Sequence, residues 1–251
     1  MDRPPASVHL YMRALAAATL LLTACAAADP VNPSLPISPP DARAALRDMR
    51  ADPKPLTRPL LVLGGFADPL GADFVAGRLR PLVTGEIVPV SFAFADDFEE
   101  ARDILAHAAA GREVDVVAVS MGGLVARYAA PHVRIARLFT IATPHAGAHL
   151  ADLPSPDPFM QDMQRDSEFM TRLNTMTATY ELLPYAALGD LTVGTENAAP
   201  PGDVPWWTAQ SPVAEGHVAA ALDPRILADI ARRLRGEPAY ATTPRAPLPE
   251  N

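Results

Sequence analysis

The apolar run Pro59-Leu60-Leu61-Val62-Leu63 ends in Gly64-Gly65, the pattern of a strand buried on both faces and followed by a turn. Further along, 86–92 reads as a strand, 96–110 as an amphipathic helix, 114–119 as a strand, 122–130 as a helix and 135–142 as a strand. Strands alternating with helices call for right-handed crossovers and a parallel sheet covered on both faces. The expected class is α/β, with a mostly parallel central sheet flanked by helices. The alternation stops over 151–187, where a mostly polar helical segment at 159–177 precedes a proline break at Pro184. This is the natural place for a small helical lid-like insert. Strand signal returns at Leu191-Thr192-Val193-Gly194, and a last amphipathic helix covers 224–234.

Composition changes the picture mainly at the ends. Of the 28 prolines, ten precede position 60 and four follow position 237, so the excess marks segments outside the packed domain. The expected division is a signal at 1–24, a Pro-rich tether and linker at 25–57 carrying a short helical pattern at 41–49, a folded domain at 58–235 and a disordered tail at 236–251. A chain of 251 residues that is 49% hydrophobic can bury one sizeable core. A formal charge of −8 argues against a nucleic-acid partner, which needs clustered Lys and Arg.

Arg13 precedes an apolar run at 14–22 that is too short to span a bilayer and is followed by small residues, which reads as an export signal. Met12 serves as a start as well as Met1, and both leave the same mature chain. Leu22-Thr23-Ala24-Cys25 resembles the lipobox of bacterial lipoproteins. The resemblance implies cleavage before Cys25, lipidation of its sulfur and anchoring to a cell-envelope membrane, since two or more acyl chains hold stably. An ordinary signal peptide with an incidental cysteine is the plainer alternative. Cys25 is the only cysteine, so no internal disulfide can form.

Ser120 stands where the strand at 114–119 meets the helix, in Ala118-Val119-Ser120-Met121-Gly122-Gly123. A strand turning sharply into a helix lifts its turn residue above the sheet edge, and the free N–H groups at the helix start favour developing negative charge. Such a turn needs small residues two before and two after the nucleophile, here Ala118 and Gly122. The plainer reading is a serine that only caps the helix. The strand, small residue, serine, Gly-Gly and helix together resemble the nucleophile elbow of the α/β-hydrolases, in the A-x-S-x-G form of small Bacillus-type lipases.

That resemblance implies a serine hydrolase of lipase or esterase type, with no cofactor and no metal. Its oxyanion hole would be the N–H groups of Phe66, after Gly64-Gly65, and of Met121. Its base would be a histidine after the last strand; His217, in Glu215-Gly216-His217-Val218, is the only histidine beyond position 149. Thr143-Pro144-His145-Ala146-Gly147 is similar to the T-P-H-x-G run of many lipases and of GPI inositol-deacylase-like hydrolases, where it shapes the active-site rim. His145 and His149 are spaced as metal ligands can be, but no third ligand or glutamate accompanies them.

The acid stays open. The loop expected after a strand at 191–193 contains Glu196, Asn197 and Asp203. The family position falls on the uncharged Asn197; Glu196 is favoured, Asp203 comes second, and Asp190, ahead of that strand, ranks below both. The substrate is expected to be an ester or lipid. Two alternatives fit the same sequence: a tethered, non-catalytic binding module, motivated by the uncertain acid, and a thioesterase, amidase or acyltransferase using the same residues. Leu150, Leu153, Phe159, Met160, Met163, Phe169 and Met170 either line an acyl site under a lid or simply pack the insert onto the domain, the second being favoured.

Overall fold

A computed structural model describes residues 32–250. The expected signal at 1–24 and the lipidation site Cys25 lie outside the described residues.

Six strands form one all-parallel sheet: β2 (Leu60–Leu63), β4 (Ile87–Val90), β5 (Val114–Val119), β6 (Ile135–Ile141), β7 (Glu181–Ala187) and β8 (Trp206–Thr208), in the spatial order β4-β2-β5-β6-β7-β8. A separate two-residue pair joins β1 (Lys54–Pro55) to β3 (Val83–Thr84). Residue alternation divides the core. Leu61, Leu63, Val116, Ala118 and Leu138 face one side, and Leu60, Val62, Val117, Phe139 and Ile141 the other. The first face is covered by α3 (Phe98–Ala109), α4 (Met121–Ala129), α5 (Pro158–Asp162) and α6 (Glu168–Thr175). The second is covered by α1 (Pro39–Ala51), α2 (Gly71–Leu79), α7 (Gly216–Leu222) and α8 (Pro224–Leu234). The expected α/β class with helices on both faces is what the chain adopts.

Both ends of the described residues belong to the packed body, which corrects the linker reading over 32–57 and the disordered tail reading over 236–250. In α1, Ala42, Leu46 and Met49 recur at i, i+4 and i+7 and are buried in one cluster with Leu60 and with Ile230 and Leu234 of α8. Ser38 caps the helix through the Asp41 amide, and Pro39 and Pro40 open it. The tail is ordered because buried donors need it as their acceptor. Trp206 Nε1 donates to the Thr242 carbonyl at 2.9 Å and Trp207 Nε1 to that of Pro247 at 3.3 Å. In return the Ala241 amide donates to the buried Asp229 carboxylate at 2.7 Å, and the Thr242 amide to Ser34 O at 2.7 Å.

One strand lies elsewhere than expected. Pro184 sits inside β7, opposite Thr140 of β6, instead of breaking the chain. The Tyr185 carbonyl points to β6, where it accepts the Ala142 amide, so the nitrogen of Pro184 points the other way. On that side β8 begins only opposite Tyr185. The missing N–H therefore has no carbonyl to meet, and the neighbouring Leu182 carbonyl is met by Arg245 at 3.4 Å. Leu191, Thr192 and Val193, expected as a strand, form a turn instead.

The insert packs down. Phe159, Met160, Met163, Phe169 and Met170 are buried in the core, with Phe98 stacked on Phe169 at 4.0 Å and edge-on to Phe159 at 4.9 Å. These five side chains hold the insert on the domain, whereas Leu150 and Leu153 are exposed.

Candidate active site

The sheet order reverses direction at β2: β4 lies on one side of it and β5 on the other. Loops leaving the carboxyl ends of β2 and β5 therefore diverge and leave a crevice, the usual ligand site of a parallel sheet. Gly64-Gly65-Phe66 follows β2 and Ser120 follows β5.

Ser120 has φ 53° and ψ −130°, a strained conformation for a residue with a side chain. Its own backbone is fastened on both sides. The Ser120 amide donates to Ile141 O at 2.9 Å, and its carbonyl accepts from the Gly123 amide at 3.0 Å and from Thr143 Oγ1 at 2.8 Å. Both glycines after it are sterically required. A Cβ on Gly122 would lie 2.4 Å from the Gly64 carbonyl oxygen, and one on Gly123 would lie 2.1 Å from Thr143 Oγ1. Ala118 fits two residues before, fully buried between Leu63 and Thr140. The Ser120 side chain makes no capping bond to α4. The capping reading fails, and the hydroxyl is free for another partner.

That partner is His217. Ser120 Oγ lies 3.0 Å from His217 Nε2, and His217 Nδ1 lies 3.0 Å from Asp190 Oδ2. Asp190 is fully buried at its side chain and His217 is 16% exposed. Because a carboxylate only accepts, Nδ1 carries the proton and Nε2 is left to accept from the serine. The other oxygen, Asp190 Oδ1, accepts the Thr192 and Val193 amides at 3.0 and 2.8 Å. His217 occupies the first turn of α7, the helix that follows β8.

The carboxylate expected at Glu196 is corrected to Asp190. Glu196, in a 3-10 turn at Thr195–Asn197, pairs with His149 Nε2 at 3.0 Å and is 58% exposed. Asp203 pairs with Arg245 at the surface, and buried Asn197 donates to Val193 O at 2.7 Å. Asp190 does follow a strand, but the strand is β7, which ends at Ala187, three residues before it. The available signal was the apolar run 182–188 closed by Gly189-Asp190, a turn pair.

The expected oxyanion donors lie beside the serine. A Cβ on Gly65 would be 3.3 Å from Ser120 Cβ, so this loop passes close over Ser120. Among the described residues, neither the Phe66 amide nor that of Met121, the first residue of α4, donates to a protein acceptor. A groove of about 480 Å³ opens over Ser120 and His217. Phe66, Leu70, Phe74, Leu150, Val218 and Leu222 make its walls apolar, and Asp68 is its one carboxylate.

His145 lies away from the groove, fully buried behind α4. Its Nε2 is 2.9 Å from Thr140 Oγ1 and its Nδ1 is 3.2 Å from Arg127 Nη1. Burial, aided by the Arg127 charge, holds its pKa well below the ordinary 6.5, so the ring is neutral. Nδ1 then accepts from Arg127 and Nε2–H donates to Thr140. Of the T-P-H-x-G run, only Thr143 reaches the nucleophile turn. Arg127 also donates to Leu173 O and Asn174 Oδ1 near the carboxyl end of α6.

No family model matches the sequence, and no curated protein matches it either. Among solved structures, the chain is similar to the Bacillus licheniformis lipase BlEst2. The propeptide form matches at 18% identity and TM-score 0.54, covering 77% of this chain and 53% of that one. The mature form matches at 18% identity and TM-score 0.49, covering 67% and 88%. Phospholipase PlaB of Legionella pneumophila matches at 11% identity and TM-score 0.47, covering 57% and 44%. At such identities the likeness is one of fold: the chain has the fold of the α/β-hydrolases.

Proposed function

We propose that the protein is a serine hydrolase that cleaves carboxylic esters, of lipase or esterase type. The observation that carries this is the chain Ser120 Oγ, His217, Asp190, with 3.0 Å at each link, on a strained turn that faces an apolar groove. His217 Nε2 takes the hydroxyl proton as Ser120 Oγ attacks the ester carbonyl, and Asp190 stabilises the imidazolium that forms. The carbonyl oxygen becomes an oxyanion received by the Phe66 and Met121 amides. His217 returns the proton to the departing alcohol. Water then repeats the sequence on the acyl-enzyme and releases the acid. The reaction needs no cofactor.

The apolar walls favour an acyl chain over a charged group. The motive for a non-catalytic binding module is the uncertain acid, and Asp190 beside His217 supports the catalytic reading over it. Thioester, amide and acyl-transfer chemistry would use the same residues, and a substrate panel separates them. The reading also includes export and tethering to an envelope membrane through Cys25, for which loss of membrane fractionation in Cys25→Ala is the check.

The test of the activity is hydrolysis of short-chain nitrophenyl esters together with labelling by a fluorophosphonate. Wild type is expected to do both, and Ser120→Ala neither. Folded wild-type protein that stays unlabelled beside a reactive control hydrolase would overturn the proposal.

A further inference from the structure

Asp190 is built into a turn whose two flanking residues are both tied to the start of α7. On one side, the Gly216 amide donates to the Gly189 carbonyl at 3.1 Å. On the other, the Leu191 amide donates to Glu215 Oε1 at 2.5 Å. The second oxygen of the same carboxylate, Glu215 Oε2, accepts the backbone amide of His217 at 3.0 Å. The contact is tight: a Cβ on Gly216 would lie 2.4 Å from the Asp190 nitrogen and 2.6 Å from Leu188 O.

Glu215 is the N-cap residue of α7. As a cap it is a poor choice, since Asn, Asp and Ser do that work with shorter side chains. Its additional length matters for a different reason. One oxygen reaches the helix amide of His217 while the other crosses to the acid turn, a span a shorter cap would not bridge. Ionised, both oxygens only accept, which suits two N–H donors.

We propose that Glu215 is a positioning residue that clasps the acid turn to the helix carrying the base, so that Asp190 and His217 move as one unit. This rests on the reading of Ser120, His217 and Asp190 as the reacting group. Glu215 is not among the residues that line the groove, and its carboxylate oxygens accept backbone amides and not the imidazole. It acts through the backbone on both sides of the His217–Asp190 hydrogen bond, where a small displacement is amplified into rate.

The experiment separates clasp from cap. Glu215→Ser restores a good helix cap but cannot reach Leu191; Glu215→Gln keeps the length but places an N–H₂ group against one of the two N–H donors. Melting temperature, steady-state kinetics on a nitrophenyl ester and the low-field proton resonance of the His217–Asp190 bond are measured for each, with Asp190→Asn marking loss of that resonance. The expected result for Glu215→Ser is a wild-type melting temperature, kcat reduced about ten- to hundredfold, KM changed by less than about twofold, and a broadened or shifted resonance. Glu215→Gln shows the same changes to a smaller degree. Wild-type kcat and an unchanged resonance in Glu215→Ser would reduce Glu215 to a helix cap and overturn the proposal. Should Ser120→Ala hydrolyse the ester as well as wild type, the hydrolase reading falls instead, and the resonance still decides whether the clasp exists.

Discussion

Replacing Asp190 by Asn, with Glu196→Gln as its counterpart, measures which carboxylate serves His217. In the wild type, Asp190 Oδ1 accepts the Thr192 and Val193 amides while Oδ2 faces His217 Nδ1. An asparagine here has one orientation open to it. Its carbonyl oxygen must stay toward the two backbone donors, because an N–H₂ group there would confront two N–H groups in a fully buried site. The amide nitrogen is therefore forced toward His217 Nδ1, which must accept. The ring proton moves to Nε2 and points at Ser120 Oγ, 3.0 Å away, so the base can no longer take the serine proton. A wrong tautomer with intact geometry is expected to lower kcat by about 10⁴-fold, or about 5 kcal/mol of transition-state stabilisation. Glu196→Gln removes only a half-exposed contact with His149 and is expected to leave kcat within about twofold, as surface pairs contribute little. Initial rates on a nitrophenyl ester, with circular dichroism to verify folding, decide the matter. Near-wild-type turnover in Asp190→Asn, or collapse in Glu196→Gln, would refute the assignment.

Gly122→Ala tests the close packing of the nucleophile turn. Its new Cβ would meet the Gly64 carbonyl oxygen at 2.4 Å and Leu63 Cβ at 2.9 Å, and overpacking of this kind destabilises by roughly 1–3 kcal/mol. Urea unfolding is expected to show that loss, together with slower fluorophosphonate labelling because the Gly64-Phe66 loop is displaced; an unchanged midpoint and labelling rate would mean the loop yields freely. His145 predicts an acid-side stability slope. Its folded pKa is lowered from 6.5 by burial and then by Arg127, so below that value the unfolded chain binds a proton that the folded chain refuses. Stability is complete above pH 6.5 and falls as the pH drops below it, by at most about 1.4 kcal/mol per pH unit from this one group. His145→Asn should show a shallower slope between pH 6.5 and 5 whatever its stability at pH 7, and parallel slopes would remove His145 as the cause.

The central strands and their helices were legible because one periodicity dominated each of them. Val114–Val119 and Pro224–Leu234 lie where the pattern placed them, since a strand buried on both faces and a strongly amphipathic helix have few competing readings. The ends were not, for a reason that composition hides. In α1 three small or medium side chains make a narrow stripe among Arg and Asp, and packing against α8 and Leu60 turns it into core. The tail has almost no pattern of its own; the indole N–H groups of Trp206 and Trp207 and the carboxylate of Asp229 organise it from across the molecule. A segment held by long-range donors looks like linker in any window of sequence.

The same long-range dependence explains why the sequence pointed to the Ser120 and His217 that lie together in the fold, but not to Asp190 beside them. A nucleophile turn imposes local demands on its neighbours, such as Gly122 against the Gly64 carbonyl, so it leaves a local signature. The order of groups then leaves His217 alone beyond the insert. The acid has no such signature: any carboxylate after the right strand qualifies, and the choice passes to the strand assignment. Pro184 argued against a strand at 181–187, and Leu191-Thr192-Val193 offered a replacement with better β-forming residues. The deciding fact was the shortness of β8, which leaves the nitrogen side of Pro184 without a sheet partner and makes the proline harmless. Moving the strand to its place in the sheet moves the proposed acid from Glu196 back to Asp190, and places Glu215 between the Asp190 turn and the helix of His217.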